Sequence, residues 1–241
     1  MIVEVATPEG PGRFFVAPAE APTALLLLGH GAGGGVDAMD LKLLAGHLPG
    51  EGITVARFEQ PWKTAGRRIA VPPPRLDVGW LAAVRELRSD PAHADLPLFL
   101  GGRSAGARVA CRTANELGAL GVVCLAFPLH LPGRPEKSRI AELLDPEVPR
   151  LVLQGSKDTF GGAAEVRAAA AGDPGVRLVE LPGADHGYRV AKAAEWTAAD
   201  LRAELKRQVL GFVRELTPGG SAPGGAGSAR NRSAGDQVGG E

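Results

Sequence analysis

The chain is 241 residues long and carries 27 basic and 27 acidic residues, so its formal net charge is zero. This balance, without any cluster of Lys or Arg, excludes a typical nucleic-acid-binding protein, and the length suits one large domain rather than two. No apolar run is long enough to span a membrane, no signal-peptide pattern is present and only two cysteines occur, so we expect a cytoplasmic protein with no membrane, metal or disulfide function.

Apolar runs that predict strands alternate with amphipathic patterns that predict helices. In chain order, the first half contains an edge hairpin at residues 1–5 and 13–17, a strand at 23–28, a helix at 37–48, a strand at 53–58, a polar surface loop at 59–74 and a helix at 76–87. The second half contains a strand ending at 102, a helix at 105–117, strands at 121–127, 149–155 and 176–181, and helices at 140–144, 162–171 and 197–216.

This alternation predicts an α/β fold of three layers, a mainly parallel sheet flanked by helices, over residues 1–217. The link between the strands at 121–127 and 149–155 is too short for a separate cap domain, so we expect an open cleft. Only the loop at 59–74, with Trp62, is long enough to fold over it. Residues 218–241 are Gly, Ser, Ala and charged residues, which predicts a disordered tail.

The sequence Gly102-Arg103-Ser104-Ala105-Gly106 stands between a predicted strand and a predicted helix. This context is the one that a nucleophile elbow requires, because glycines two residues before and after the serine avoid collisions at a sharp turn. Ser104 is therefore the candidate nucleophile. The alternative is a glycine-rich turn with an incidental serine.

Two other loops that follow strands bear on Ser104. Asp158 comes shortly after the strand that ends at 155, and His186 comes after the strand that ends at 181. In a parallel sheet such loops meet at one edge, and the chain order Ser, Asp, His is that of a catalytic triad. We predict that His186 is the general base and that Asp158 orients it. Asp185 is a competing orienter, but it is adjacent to the histidine and its side chain should diverge.

A serine nucleophile needs two donors for the oxyanion. One should be the amide of Ala105, and the other should come from the turn at His30, Gly31 and Ala32, which follows the first central strand. His30 is expected to orient this turn rather than to act as a base. Arg103 is a candidate for the mouth of the pocket, with a solvated position as the alternative, and His130 is a candidate for the cleft. His47 and His93 are expected at the surface.

The chain resembles a known family in six segments: His30-Gly31-Ala32-Gly33-Gly34, Arg57-Phe58-x-x-Pro61, Gly101-Gly102-Arg103-Ser104-x-Gly106-x-Arg108, Pro128-Leu129-His130, Gln154-Gly155-x-x-Asp158-x-Phe160-Gly161 and Asp185-His186. They resemble the α/β-hydrolase superfamily, and within it the small dienelactone-hydrolase-like hydrolases. The resemblance covers about residues 20–215 and implies the α/β-hydrolase fold and the Ser104, Asp158, His186 assignment. Dienelactone hydrolases use a cysteine nucleophile, so Ser104 does not imply their substrate.

These residues predict a serine hydrolase for small carboxylic esters or thioesters, without a cofactor, as a monomer or homodimer. Two alternatives remain open. Gly29-x-Gly31-x-x-Gly34 also fits a dinucleotide-binding fingerprint, which would make the chain an NAD(P)-binding oxidoreductase with Glu59 on the ribose. The chain could also be a non-catalytic interaction module, since related animal proteins serve in chromatin-modifying assemblies and fold does not fix function.

Overall fold

A computed structural model describes residues 1–219 and has an eight-stranded sheet at its centre. The strands are β1 (Ile2–Val5), β2 (Gly12–Ala17), β3 (Ala24–Gly29), β4 (Ile53–Glu59), β5 (Leu98–Arg103), β6 (Gly121–Leu125), β7 (Arg150–Gly155) and β8 (Val176–Leu181). Their spatial order is 1-2-4-3-5-6-7-8. β2 pairs antiparallel with both β1 and β4, and the strands from β3 to β8 pair parallel with one another.

Helices cover both faces of the sheet, which confirms the predicted α/β fold class. They are α1 (Met39–His47), α2 (Pro61–Thr64), α3 (Pro73–Arg88), α4 (Pro91–Ala94), α5 (Ala105–Thr113), α6 (Ile140–Leu144), α7 (Ala163–Ala169) and α8 (Ala198–Leu216). One core packs α3 and α5 against the sheet around Trp80, and the other packs α1 and α8 around Phe212. The predicted tail lies, from residue 220 onward, outside the described residues.

The all-apolar sequence of β3 follows from its position. All six of its residues are buried, and it pairs with β4 on one side and β5 on the other. Burying each leucine of this strand stabilises the fold by about 1.5–3 kcal/mol. Because β3, β5, β7 and β8 run parallel, their carboxyl ends lie at the same edge of the sheet, and this edge carries the candidate site.

Three sequence predictions need correction. The segment 59–74 is an irregular surface loop only in part, because Pro61 starts the short helix α2 and Trp62 turns into the core. The polar residues around Trp62 hid this inward turn. His93, predicted to be at the surface, is buried in α4, and the helix after Ser104 ends at Thr113 rather than at residue 117.

Cys111 and Cys124 are buried free thiols with their sulfur atoms 3.5 Å apart, between α5 and β6. They pack in the core as their apolar neighbours predict. Within residues 1–219, each helix is either too short or too polar to serve as a membrane span.

Candidate active site

Ser104 lies in the sharp turn between β5 and α5, and its backbone is strained. Its φ of 52° and ψ of −111° are unusual for a residue with a side chain, and such conformations cost about 1–3 kcal/mol. The flanking glycines allow it because the backbone of β3 packs directly against the turn. A Cβ atom on Gly106 would lie 2.2 Å from the carbonyl oxygen of Gly29, and one on Gly102 would lie 2.5 Å from the same oxygen.

The imidazole of His186 joins Ser104 to Asp158. Its Nε2 lies 3.0 Å from Ser104 Oγ, and its Nδ1 lies 2.7 Å from Asp158 Oδ2. Because a carboxylate oxygen only accepts, Nδ1 carries the proton and Nε2 is free to accept from the serine hydroxyl. The Asp158 side chain is fully buried, whereas that of His186 is 22% exposed. The ring therefore stands between the protein interior and the solvent.

Both oxygens of Asp158 have further donors. The side-chain amide of Gln154 donates to Oδ2 at 3.0 Å, and the backbone N–H of Phe160 donates to Oδ1 at 2.8 Å. Gln154 also donates to the carbonyl of Gly161 at 2.7 Å, which fixes the loop that carries the acid. The Phe160 ring stacks on His186, with 4.2 Å between ring centroids and 29° between ring planes. The acid and the imidazole are thus held from several sides.

The turn after β3 packs against Ser104 and is held by His30. A Cβ atom on Gly31 would lie 3.5 Å from that of Ser104. His30 Nδ1 donates to the Gly31 carbonyl at 2.8 Å, and its Nε2 accepts the N–H of Gln60 at 3.2 Å. These partners require the neutral ring, and burial lowers the pKa of His30 against the opposing effect of the Gly31 hydrogen bond. His30 therefore orients the turn, and its ring does not face Ser104.

Arg103 anchors the loop that carries His186. Its Nη1 lies 2.6 Å from the buried carboxylate of Asp40 on α1, and its Nη2 donates to the backbone carbonyl of His186. Burial alone would lower the pKa of Arg103, but Asp40, Tyr188 and Asp158 together outweigh this effect and the pKa is raised. The guanidinium also lies over the ring of Tyr188, whose hydroxyl donates to the Leu153 carbonyl at 2.7 Å. This arrangement ties the elbow, α1 and β7 to the histidine loop.

An open cleft of about 420 Å³ leads from the solvent to Ser104 and His186. The turn at 31–34 and Arg103 form part of its lining, and the exposed side chains of Lys157 and Arg189 stand at its mouth. Among residues 1–219, no group of three or more His, Cys, Asp or Glu side chains is placed to hold a metal ion.

Asp185 also lines the cleft, but the remaining candidates make contacts other than the Ser104–His186–Asp158 hydrogen bonds. Asp185 accepts the backbone N–H groups of Gly187 and Arg189 at 2.8 Å each, so its Oδ1 holds its own turn. His130 is buried with Nδ1 donating to the Leu131 carbonyl at 2.9 Å, and the structure does not place it among the residues that line the cleft. Ala105 is the first residue of α5 and lines a second, smaller cavity.

Sequence reasoning did not assign roles to Gln154, Asp40 and Tyr188. Gln154 is a polar residue inside a fully buried strand, which is a signal that it serves a polar partner. Asp40 is buried on the first turn of α1, and Tyr188 is the only tyrosine of the chain. The sequence contains no signal that pairs either of them with Arg103.

Comparisons with known proteins agree with the fold. Residues 22–214 match a protein family described as alpha/beta hydrolase domain. A lidless a/b serine hydrolase from Xanthomonas campestris has a similar structure, with a TM-score of 0.70 and 22% identity over 92% of this chain and 96% of that chain. An esterase from Pyrococcus furiosus matches with a TM-score of 0.69 and 18% identity, over 90% of each chain. A dienelactone hydrolase from Anabaena variabilis matches with a TM-score of 0.69 and 18% identity, over 90% and 97%.

Proposed function

This chain belongs to the alpha/beta hydrolase family, and on that premise we propose that it is a serine hydrolase that cleaves small carboxylic esters or thioesters. One observation carries the proposal: His186 reaches Ser104 Oγ at 3.0 Å and Asp158 Oδ2 at 2.7 Å. These distances lie within the range expected for a nucleophile, a general base and a group that orients the base.

In the first half-reaction, Ser104 Oγ attacks the carbonyl carbon of the substrate while His186 Nε2 accepts the hydroxyl proton. The tetrahedral intermediate then collapses, the bond to the leaving group breaks, and the imidazolium gives its proton to the departing alkoxide or thiolate. Asp158 stays ionised and favours the imidazolium. In the second half-reaction, a water molecule deprotonated by His186 attacks the acyl-enzyme, and the carboxylic acid is released with Ser104 restored.

The oxyanion would be held by the backbone amides of Ala105 and Ala32. Ala105 is the first residue of α5, so its N–H has no partner within the helix. The hydrogen bonds that residues 1–219 form also leave the N–H of Ala32 unused. Fixed donors of this kind contribute about 2.7–4 kcal/mol each to the stabilisation of an acyl-transfer transition state.

The size of the substrate follows from the open cleft. Between β6 and β7 the chain forms only the five-residue helix α6, so this segment supplies no cap. Trp62 is buried in the core rather than folded over Ser104. A shallow site of this kind offers little apolar surface to a long acyl chain, which favours small esters.

The test is turnover of 4-nitrophenyl acetate and butyrate together with labelling by a fluorophosphonate probe. The wild-type chain should show both, and Ser104→Ala should lose both. Ser89→Ala, which changes an exposed serine directly after α3, should retain both. Wild-type activity in Ser104→Ala would contradict the proposal. A chain that is neither labelled nor active on any ester would instead favour the non-catalytic interaction module.

A further inference from the structure

A second cavity, here called the tryptophan cavity, adjoins the candidate oxyanion donors. It is lined by Ala32 and Ala105 and, from the core, by Trp62, Trp80, Leu76 and Val109. The room inside it is about 10 Å³, which is space for one water-sized group. Ala32 lines both this cavity and the open cleft, so both border the turn beside Ser104.

If the proposed function holds, the open cleft and the tryptophan cavity bind different parts of the substrate, because the position of His186 fixes the side of the leaving group. His186 must give its proton to the leaving group, so the leaving group lies on the side of His186, in the open cleft. The acyl group lies on the other side of the reacting carbonyl. On that side lies the tryptophan cavity, which Ala32 and Ala105 help to line.

The chemistry of the tryptophan cavity is not purely apolar. Trp62 is 3% exposed and Trp80 is fully buried, and neither indole N–H has a hydrogen-bond partner among residues 1–219. Trp196, the third tryptophan, is only half-buried and packs in the other core, against the opposite face of the sheet. Buried indole N–H groups usually find a partner, because an unpaired buried donor is unfavourable. Two tryptophans whose indole donors are unused thus line one small cavity.

We propose that the tryptophan cavity binds the acyl group of the substrate and selects short acyl groups that carry an uncharged hydrogen-bond acceptor on the carbon atom next to the carbonyl carbon, such as glycolyl. The small volume admits one group beyond that carbon atom. The unpaired N–H groups of Trp62 and Trp80 favour an oxygen over a methyl group at that position, because the methyl group leaves them unpaired. A carboxylate is disfavoured because its charge would be buried without a cation among the lining residues.

Ethyl glycolate and ethyl propionate form a matched pair for the test, since they differ only in an OH or a CH₃ group at the position in question. Because glycolate esters also differ in intrinsic reactivity, the ratio of their kcat/KM values is divided by the ratio of their hydroxide-catalysed rates. This normalised preference should exceed about tenfold in the wild type, the effect of one buried hydrogen bond.

Two variants and one control assign the preference to the indoles. Trp62→Phe and Trp80→Phe each remove one N–H group, so at least one of them should bring the normalised preference close to one while ethyl propionate is still hydrolysed. Any extra room that phenylalanine leaves affects both esters alike. Trp196→Phe removes an indole outside the cavity and should retain the wild-type preference.

A binding measurement covers the case in which a tryptophan variant does not fold. In ¹⁵N-labelled Ser104→Ala protein, the three tryptophans give three indole N–H resonances that NMR follows during titration with each ester. Ethyl glycolate should shift the resonances of Trp62 or Trp80, and ethyl propionate should shift them less.

The outcomes are distinct. One outcome is ester turnover that depends on Ser104, with a normalised preference near one and unshifted indole resonances. It would overturn the proposed acyl selectivity but not the proposed serine hydrolase activity; a buried water would then satisfy the two N–H groups. Absence of any turnover would overturn both.

Discussion

Replacing Arg103 by methionine tests whether the pair of Arg103 and Asp40 holds the histidine loop in place. Asp40 is 1% exposed, and within residues 1–219 its side chain accepts, apart from Arg103, only the backbone N–H of Leu41, at 3.0 Å. Arg103→Met would therefore leave a buried carboxylate without its cation. Breaking a buried pair in this way costs about 3–5 kcal/mol. For a chain of this size the melting temperature should then fall by roughly 6–20 °C.

The same substitution should also slow catalysis, because the His186 carbonyl loses the guanidinium donor that it shares with Asp40. Misplacement of a catalytic group by about 1 Å can cost a factor of about a hundred. We expect kcat to fall between about tenfold and a hundredfold, with little change in KM, because Arg103 acts through His186.

Urea unfolding and ester kinetics on four proteins check this reasoning: the wild type, Arg103→Met, Asp40→Asn and the double variant. The double variant should regain at least half of the lost free energy of unfolding, because it no longer buries a lone charge. Arg189→Met is the matched control. Its guanidinium is 86% exposed and lies 3.7 Å from Asp185, so its loss should cost less than about 1 kcal/mol. The anchoring role is refuted if Arg103→Met lowers the free energy of unfolding and kcat no more than Arg189→Met does. It is also refuted if adding Asp40→Asn to Arg103→Met restores none of the lost free energy of unfolding.

Four further outcomes are expected. Asp158→Asn should lower kcat about two to four orders of magnitude. The kcat of Asp185→Asn should stay within about tenfold of the wild type, because Asp185 holds its own turn. The reverse ranking in the 4-nitrophenyl acetate assay would reassign the orienting group. Phe160→Leu should lower kcat several-fold at an unchanged KM, because it removes the ring stacked on His186, and Phe160→Tyr should retain the activity. Burial lowers the pKa of His30 from 6.5, so below that pH the unfolded chain binds more protons at this residue than the folded one. The contribution of His30 to stability is complete above pH 6.5 and is lost as the pH falls through the lowered pKa, by up to about 1.4 kcal/mol per pH unit. The free energy of unfolding, measured with urea from pH 7.5 to 5, should therefore depend less steeply on pH in His30→Gln than in the wild type. In a series of alkyl esters, kcat/KM should peak between acetyl and butyryl, and a peak at eight or more carbons would show a deeper acyl site.

Local sequence patterns were sufficient to predict which residues at the ends of strands lie together in the candidate site. Ser104, Asp158 and His186 each follow a predicted strand, and parallel strands deliver their carboxyl ends to one edge. The sequence also predicts the elbow, because the close approach of β3 requires the two flanking glycines.

The supporting contacts could not be predicted in the same way, because they join residues that are far apart in the sequence. Arg103 and Asp40 are separated by 63 positions, and nothing in the spacing of α1 shows which polar residue turns inward. His130 follows β6 as Asp158 follows β7, yet its backbone N–H donates to the Phe160 carbonyl at 3.0 Å and its ring lies outside the lining of the cleft. A position after a strand is therefore a necessary condition for the site and not a sufficient one.

Trp62 shows how one inward turn can govern selectivity. The Gln60 N–H that precedes it donates to His30, so the ring that orients the candidate oxyanion turn also fixes the start of α2 and the position of Trp62. The candidate catalytic turn and the wall of the tryptophan cavity are thus set by one buried histidine. The cleft on the opposite side is lined by glycines and by exposed Lys157 and Arg189, which can adapt to many leaving groups. Discrimination between substrates should therefore arise from the acyl group, where the surrounding groups are buried and fixed.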